Sequence, residues 1–185
     1  MSKIVRVAWG ITGSGDKIRE TLVAMRELAG SQAGKVEVEV FLSRAGEQVS
    51  GMYGILSELR ATFQHVWVEQ NANSPFIAGR FHKGEFTLLL VAPASSNTVA
   101  KLVHGIADTL LTNGTIQALK AQVPVYVMPT DLREGEIVTT LPNGHSLRMK
   151  VRKEDAENSE ALVRLEGVRV LEGPDEIPDI VKGYL

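Results

Sequence analysis

The chain contains no cysteine. That excludes disulfides, thiolate nucleophiles and cysteine-ligated iron–sulfur clusters within it, so any redox chemistry here must be carried by a bound organic cofactor. No apolar run approaches the ~18 residues of a membrane span. Neither sign of charge dominates: the formal net charge is -2, which leaves no electrostatic footprint for nucleic acid. The four histidines, His65, His82, His104 and His145, are scattered without metal-ligand spacing. Neither a G-x-S-x-G elbow nor a P-loop lysine occurs. Met1 to Val7 runs directly into a strand pattern and has no signal-peptide core, so cytoplasmic location is the expectation.

What is present suits a soluble globular protein: 185 residues, 44% hydrophobic and 23% charged, enough for one α/β domain with a sizeable core. Strand patterns are expected at Ile4 to Trp9, Val36 to Leu42, Phe63 to Val68, Glu85 to Ala92 and Val123 to Met128. Helical spacing is expected at Asp16 to Ala29, Glu47 to Leu59 with a break near Gly51 and Gly54, Asn97 to Leu111, and Thr115 to Ala121. Asn71 to Lys83 reads as irregular, a surface loop or a lid. Alternating strands and helices predict a Rossmann-like (flavodoxin-like) doubly wound parallel sheet with helices on both faces. Two alternating runs then flank Pro142-Asn143-Gly144, a strong hairpin signal, which predicts an arm over about 135–152 appended to a single domain spanning 1–185. Such arms often make subunit contacts; the plain alternative is an edge hairpin. Lys153 to Leu165 returns to helix, Val168 to Leu171 to a short strand, and Pro174 to Val181 to a terminal helix.

The most informative segment is Leu88-Leu89-Leu90-Val91-Ala92-Pro93-Ala94-Ser95-Ser96-Asn97-Thr98. An apolar strand stops at a proline and opens into hydroxyl and amide side chains just before a helix. Open α/β sheets bind ligands at such strand ends. Capping the helix needs only one of the four polar residues, so a ligand role is expected for the group. Thr12-Gly13-Ser14-Gly15 after the first strand lets a backbone approach an anion. Its spacing is not G-x-G-x-x-G, and the second strand ends in Ser43 rather than an acid. Both points disfavour a dinucleotide and allow a mononucleotide. Ser43 suits a phosphate or an N-cap equally well. Lys101, His104 and Asp108 share a helical face as a charge cluster.

Pro93-Ala94-Ser95-Ser96-Asn97-Thr98 resembles the PASANT motif of the homo-oligomeric flavin-containing decarboxylase superfamily. Gly105-Ile106-Ala107-Asp108-Thr109-Leu110 resembles its downstream helix signature, and Gly13-Ser14-Gly15 its phosphate-end turn. The motifs stand in the family's order from residue 4 to about 131. The chain departs from the cysteine-decarboxylating members. Their P-x-M-N-x-x-M-W segment is here Met128-Pro129-Thr130-Asp131-Leu132, and only His65 loosely answers to their active-site histidine. Decarboxylation is therefore not expected. Val7 to Asp16, the hairpin around Pro142-Asn143-Gly144, and Arg152-Lys153-Glu154-Asp155-Ala156-Glu157-Asn158 look like the archaeal flavoprotein and dihydromethanopterin reductase (acceptor) branch.

That resemblance implies bound FMN. Carried over by motif, Thr12, Gly13, Ser14, Gly15 and Ser43 form the phosphate end. Ala94, Ser95, Ser96, Asn97 and Thr98 form the wall for the ribityl chain and the ring's polar edge. Topology adds Met128, Thr130 and Asp131, just past the last core strand, near the isoalloxazine. The implied reaction is hydride transfer from reduced flavin to dihydromethanopterin, giving tetrahydromethanopterin. The pterin would be the substrate and the electrons would come from a separate ferredoxin-like donor or flavin reductase. The superfamily's flavin lies between subunits of a trimer, which implies a homo-oligomer of one trimer or several. No catalytic side chain and no metal ligand is assigned. An FMN electron carrier without a small-molecule substrate, and an α/β domain that has lost its flavin, remain open at this level.

Overall fold

A computed structural model describes residues 4–185. Met1, Ser2 and Lys3, part of the expected N-terminal strand entry, lie outside the described residues. The strands are β1 (Val5–Ile11), β2 (Val36–Leu42), β3 (His65–Val68), β4 (Leu88–Ala94), β5 (Val125–Pro129), the hairpin pair β6 (Gly135–Thr140) and β7 (Ser146–Val151), and β8 (Val168–Val170). The helices are α1 (Ile18–Ser31), α2 (Arg44–Met52), α3 (Leu56–Thr62), α4 (Ile77–His82), α5 (Ser96–Val103), α6 (Leu110–Lys120), α7 (Lys153–Leu162) and α8 (Ile177–Lys182).

Six strands form one sheet in the order β3-β2-β1-β4-β5-β8, with every pairing parallel. Strand side chains alternate between faces. Val5, Val7, Trp9 and Ile11 of β1, with Leu88, Leu90 and Ala92 of β4, join one core. Ala8 of β1, with Leu89, Val91 and Ala94 of β4, joins the other. Ile18, Leu22 and Met25 of α1 and Val181 of α8 cover the first face. Phe81 of α4, Val99 of α5, Leu110 of α6 and Leu162 of α7 cover the second. This is the doubly wound plan expected from the alternation of strands and helices. The chain winds outward through β2 and β3, then returns to β4 on the far side of β1. The topological switch point therefore lies between β1 and β4.

Two expected elements need correction. The single helix expected over Asn97 to Leu111 is two helices, because Gly105 takes a left-handed φ of 69° and the Ile106 amide donates back to the Lys101 carbonyl at 2.8 Å. The Gly105-Ile106-Ala107-Asp108 stretch is thus a loop that leads into the Thr109 cap of α6. The stretch Asn71 to Lys83 is not wholly irregular: it holds α4, whose Ile77, Ala78 and Phe81 are buried at helical spacing. Pro75 and Gly79 masked that spacing in the sequence. The break expected near Gly54 is present, again at a left-handed glycine.

The hairpin forms as expected, with Gly135 paired to Val151 and Thr140 to Ser146. Its turn closes where Leu141 donates to the His145 carbonyl at 2.8 Å and Gly144 adopts φ 84°.

Trp9 is fully buried and its indole N–H donates to the Ala92 carbonyl at 2.7 Å, tying β1 to the end of β4. Its ring meets Phe63 edge-on at 5.5 Å. Trp9→Phe removes volume from the core and strands a buried carbonyl. It is expected to lower the unfolding free energy by about 2–4 kcal/mol, measured as a reduced urea midpoint with an unchanged slope.

Candidate functional site

The C-terminal ends of β1 and β4 carry the two loops singled out in the sequence, and the structure ties them together. The Thr12 hydroxyl donates to the Pro93 carbonyl at 2.8 Å and accepts from the Ser95 amide at 2.8 Å. Thr12 is 1% exposed, so its side chain braces the loops rather than facing a ligand. Ala94 and Met128 are likewise fully buried and line neither of the two recesses described below. The remaining expected residues Gly13, Ser14, Gly15, Ser43, Ser95, Ser96, Asn97, Thr98, Thr130 and Asp131 all reach one recess or the other.

The first recess, about 670 Å³, lies where three helices begin. Ser43 caps α2, accepting from the Gly46 amide at 2.9 Å. Ser95 caps α5, accepting from the Thr98 amide at 3.4 Å. Thr109 caps α6, accepting from the Thr112 amide at 3.2 Å. Both serines therefore do act as caps; the Ser43 hydroxyl hydrogen stays available to a ligand, whereas the Ser95 hydroxyl also pairs with the Thr98 hydroxyl at 3.2 Å. Ala45, Ser96 and Asn97 line this recess, and their backbone amides have no acceptor among the described residues. Free amides at converging helix N-termini form an anion site. The carboxylates here are already engaged. Asp108 pairs with Lys101 at 2.8 Å, so that part of the expected charge cluster forms across the α5–α6 loop, while His104 is exposed.

Glu69, which sequence reasoning missed, accepts from the Arg44 amide at 3.1 Å and from the Leu110 amide at 3.1 Å, so one carboxylate bridges the starts of α2 and α6. A signal for it existed. It follows β3 immediately, as Ser43 follows β2 and Thr130 follows β5, and residues just past parallel strands face this edge.

The second recess, about 300 Å³, adjoins the first across Gly13, Ser95 and Ser96. Ser14, Asp16, Thr130 and Asp131 give it a polar floor, and Ile137, Leu141, Leu147 and Met149 of the hairpin give it an apolar wall. The hairpin is held by Tyr53, whose hydroxyl donates to the Thr140 carbonyl at 2.9 Å. The Tyr53 ring occupies the place where a Cβ on Gly15 would stand, so any side chain here has to displace that ring. Tyr53, Asp16 and the hairpin residues were not assigned to the site from sequence, because only the tertiary fold brings them to the glycine turn.

Burial pushes the Asp16 carboxyl above the usual aspartate range. The Thr139 hydroxyl and Lys17 oppose that shift, while Glu20 and Asp131 reinforce it. Among the described residues no cluster of side chains suited to a metal ion occurs, and no helix is long and apolar enough to cross a membrane.

A parallel sheet with an amide-rich anion recess and an adjoining half-apolar recess at its switch point defines an α/β protein whose strand ends suit a phosphorylated ligand. The chain belongs to the Flavoprotein family, whose model matches residues 1–184. It is 31% identical to a dihydromethanopterin reductase (acceptor) of Methanocaldococcus jannaschii, covering 94% of each chain. It is 42% identical to a second protein of that organism, described as uncharacterized, over 98% of this chain and 97% of that one. Among solved structures it is similar to DmrB of Burkholderia xenovorans in complex with FMN, called a cubic protein cage for redox transfer. The TM-score is 0.83 at 32% identity, covering 100% of this chain and 97% of that one.

Two outcomes follow from this geometry. Glu69→Gln keeps one acceptor oxygen but loses the charge and the second acceptor at two helix N-termini. It is expected to cost about 1–2 kcal/mol in chemical denaturation; an unchanged midpoint would show that a neutral acceptor suffices. For Asp16, the folded state holds the proton more tightly than the unfolded chain does. Ionisation therefore costs stability as pH rises through the raised folded value. Asp16→Asn is expected to raise the melting temperature at neutral pH, with the gain shrinking to nothing below the usual aspartate range.

Proposed function

We propose that the protein is an FMN-dependent oxidoreductase that reduces dihydromethanopterin to tetrahydromethanopterin. The observation that carries this reading is the pair of adjoining recesses at the switch point, one rich in free amides and one half-apolar. The chain's 31% identity to a dihydromethanopterin reductase (acceptor) over nearly its full length supports it.

The residues present fit FMN. A Cβ on Gly13 would stand 2.7 Å from the Ala45 Cβ, so only glycine leaves the backbone open to a phosphate there. The free amides of Ala45, Ser96 and Asn97, with the Ser43 hydroxyl, would hold that phosphate. Ser95, Asn97 and Thr98 would contact the ribityl chain and the ring's polar edge, and Thr130 and Asp131 would stand near the ring. When bound, FMN supplies the redox chemistry, a hydride for the imine bond of the dihydropterin. The chain orients the two rings and, through the hairpin wall, keeps water from the reacting bond.

The same reading places electron supply in a separate partner, because this cysteine-free chain ligates no iron–sulfur cluster. It also makes the protein a cytoplasmic homo-oligomer. Leu147 and Met149 stay 38% and 39% exposed, and Val138 on the hairpin's other side 62%, apolar surface that suits a second copy of the chain. The domain is read as one unit from 1 to 185, with the hairpin as its arm.

The decisive test is an anaerobic titration of FMN-loaded, photoreduced protein with dihydromethanopterin. Reoxidation of about one flavin per pterin added is expected, seen as return of the flavin absorbance. A flavin that stays reduced against the pterin yet exchanges electrons with ferredoxin would make the protein an electron carrier instead. Failure to take up FMN would overturn the flavin reading.

A further inference from the structure

We propose that Asp16 selects the substrate of the second recess, its carboxylate accepting the two adjacent N–H donors of a 2-amino-4-oxopyrimidine edge. This deepens the reductase reading above and rests on it. The second recess is the space left beside the proposed FMN site, and at about 300 Å³ it admits one flat heterocycle. Its charged lining residues are Asp16 and Asp131; no lysine or arginine lines it. An anionic group is therefore repelled there, in contrast to the first recess, and N–H donors are favoured.

Asp16 meets the requirements of such a group. It follows Gly15, against which the Tyr53 ring packs, and Tyr53 is itself fixed to the hairpin at Thr140. The carboxylate thus sits on a constrained base. Asp16 is half-buried, so part of its water is withdrawn, and the Thr139 hydroxyl uses only part of its acceptor capacity of about four lone-pair sites. A ligand that presents two parallel N–H groups restores what burial removed, in the bidentate geometry carboxylates accept from guanidinium. The 2-amino group and N3–H of a pterin are such a pair. A lumazine carries a 2-oxo group in place of the 2-amino group, and would aim an oxygen at the carboxylate.

The experiment uses the full chain loaded with oxidised FMN, so that no turnover occurs. A 6-methyl-7,8-dihydropterin and the matching dihydrolumazine are titrated in turn, and binding is read from the perturbed flavin spectrum. Wild-type protein is expected to bind the pterin about tenfold or more tightly than the lumazine. An asparagine side chain presents one acceptor and one donor group. In Asp16→Asn the preference should therefore fall to within about threefold or invert toward the lumazine.

Equal wild-type affinity for the two heterocycles overturns the proposal without recourse to a variant. So does a preference that survives in Asp16→Asn, or one that disappears only in Asp131→Asn. If equal affinity accompanies intact turnover of dihydromethanopterin, Asp16 alone is wrongly assigned. FMN-loaded wild-type protein that binds neither heterocycle and leaves reduced flavin unoxidised overturns the reductase reading together with it.

Discussion

The Thr12 hydroxyl, donating to the Pro93 carbonyl and accepting from the Ser95 amide, is the contact on which the ligand edge depends. Strand β4 shifts register against β5 between Val91 and Ala94, so its last carbonyls and amides fall out of step with that ladder. Those groups lie in a buried edge, where an unpaired backbone polar atom costs about 1–3 kcal/mol. Thr12 takes two of them. The Trp9 indole takes the Ala92 carbonyl, and the Thr130 amide takes the Ala94 carbonyl at 3.1 Å. Satisfying these groups sets the start of α5 against the glycine turn, and with it the common wall of the two recesses.

Electrostatics then divide the edge into two environments. In the first recess each carboxylate is already compensated, Asp108 by a lysine and Glu69 by two backbone amides, and uncommitted amides remain for an anion. In the second recess Asp16 and Asp131 face no cation among the lining residues, and burial raises the Asp16 carboxyl above its usual range. The two recesses share Gly13, Ser95 and Ser96. A ligand with its phosphate in the first recess can bring an electron-accepting ring up to that boundary, and a second ring of opposite preference can lie beyond it. Specificity in such a site comes as much from what each half rejects as from what it holds.

Much of this was legible in the order of residues. Leu88 to Ala94 declares a buried parallel strand by its unbroken apolar character, and Val5 to Ile11 does so with Arg6 as its one charged residue. The polar run Ser95 to Thr98 and the turn Gly13 to Gly15 declare where a ligand belongs. Local pattern was a weaker guide wherever a glycine or proline interrupted it. The residues Asn97 to Leu111 carry continuous helical spacing, yet Gly105 and the Thr109–Thr112 capping box favour two helices that start the second at the ligand edge. Around Pro75 and Gly79 the opposite holds. The burial of Ile77, Ala78 and Phe81 offsets the cost of a helix that composition alone argued against.

The sequence by itself determined the fold class, the strands that flank the switch point and the polar loops at their ends, because each rests on spacing within one segment. Only the tertiary structure decided the function of individual side chains at that edge. Thr12 and Glu69 are both polar residues at strand ends, but one braces a loop and the other bridges two helices 25 and 41 residues away. Asp16, Tyr53 and the hairpin come together from three distant segments. Which backbone groups lack partners, and which carboxylate is half-buried, depends on contacts between segments far apart in the chain, and no local pattern encodes that.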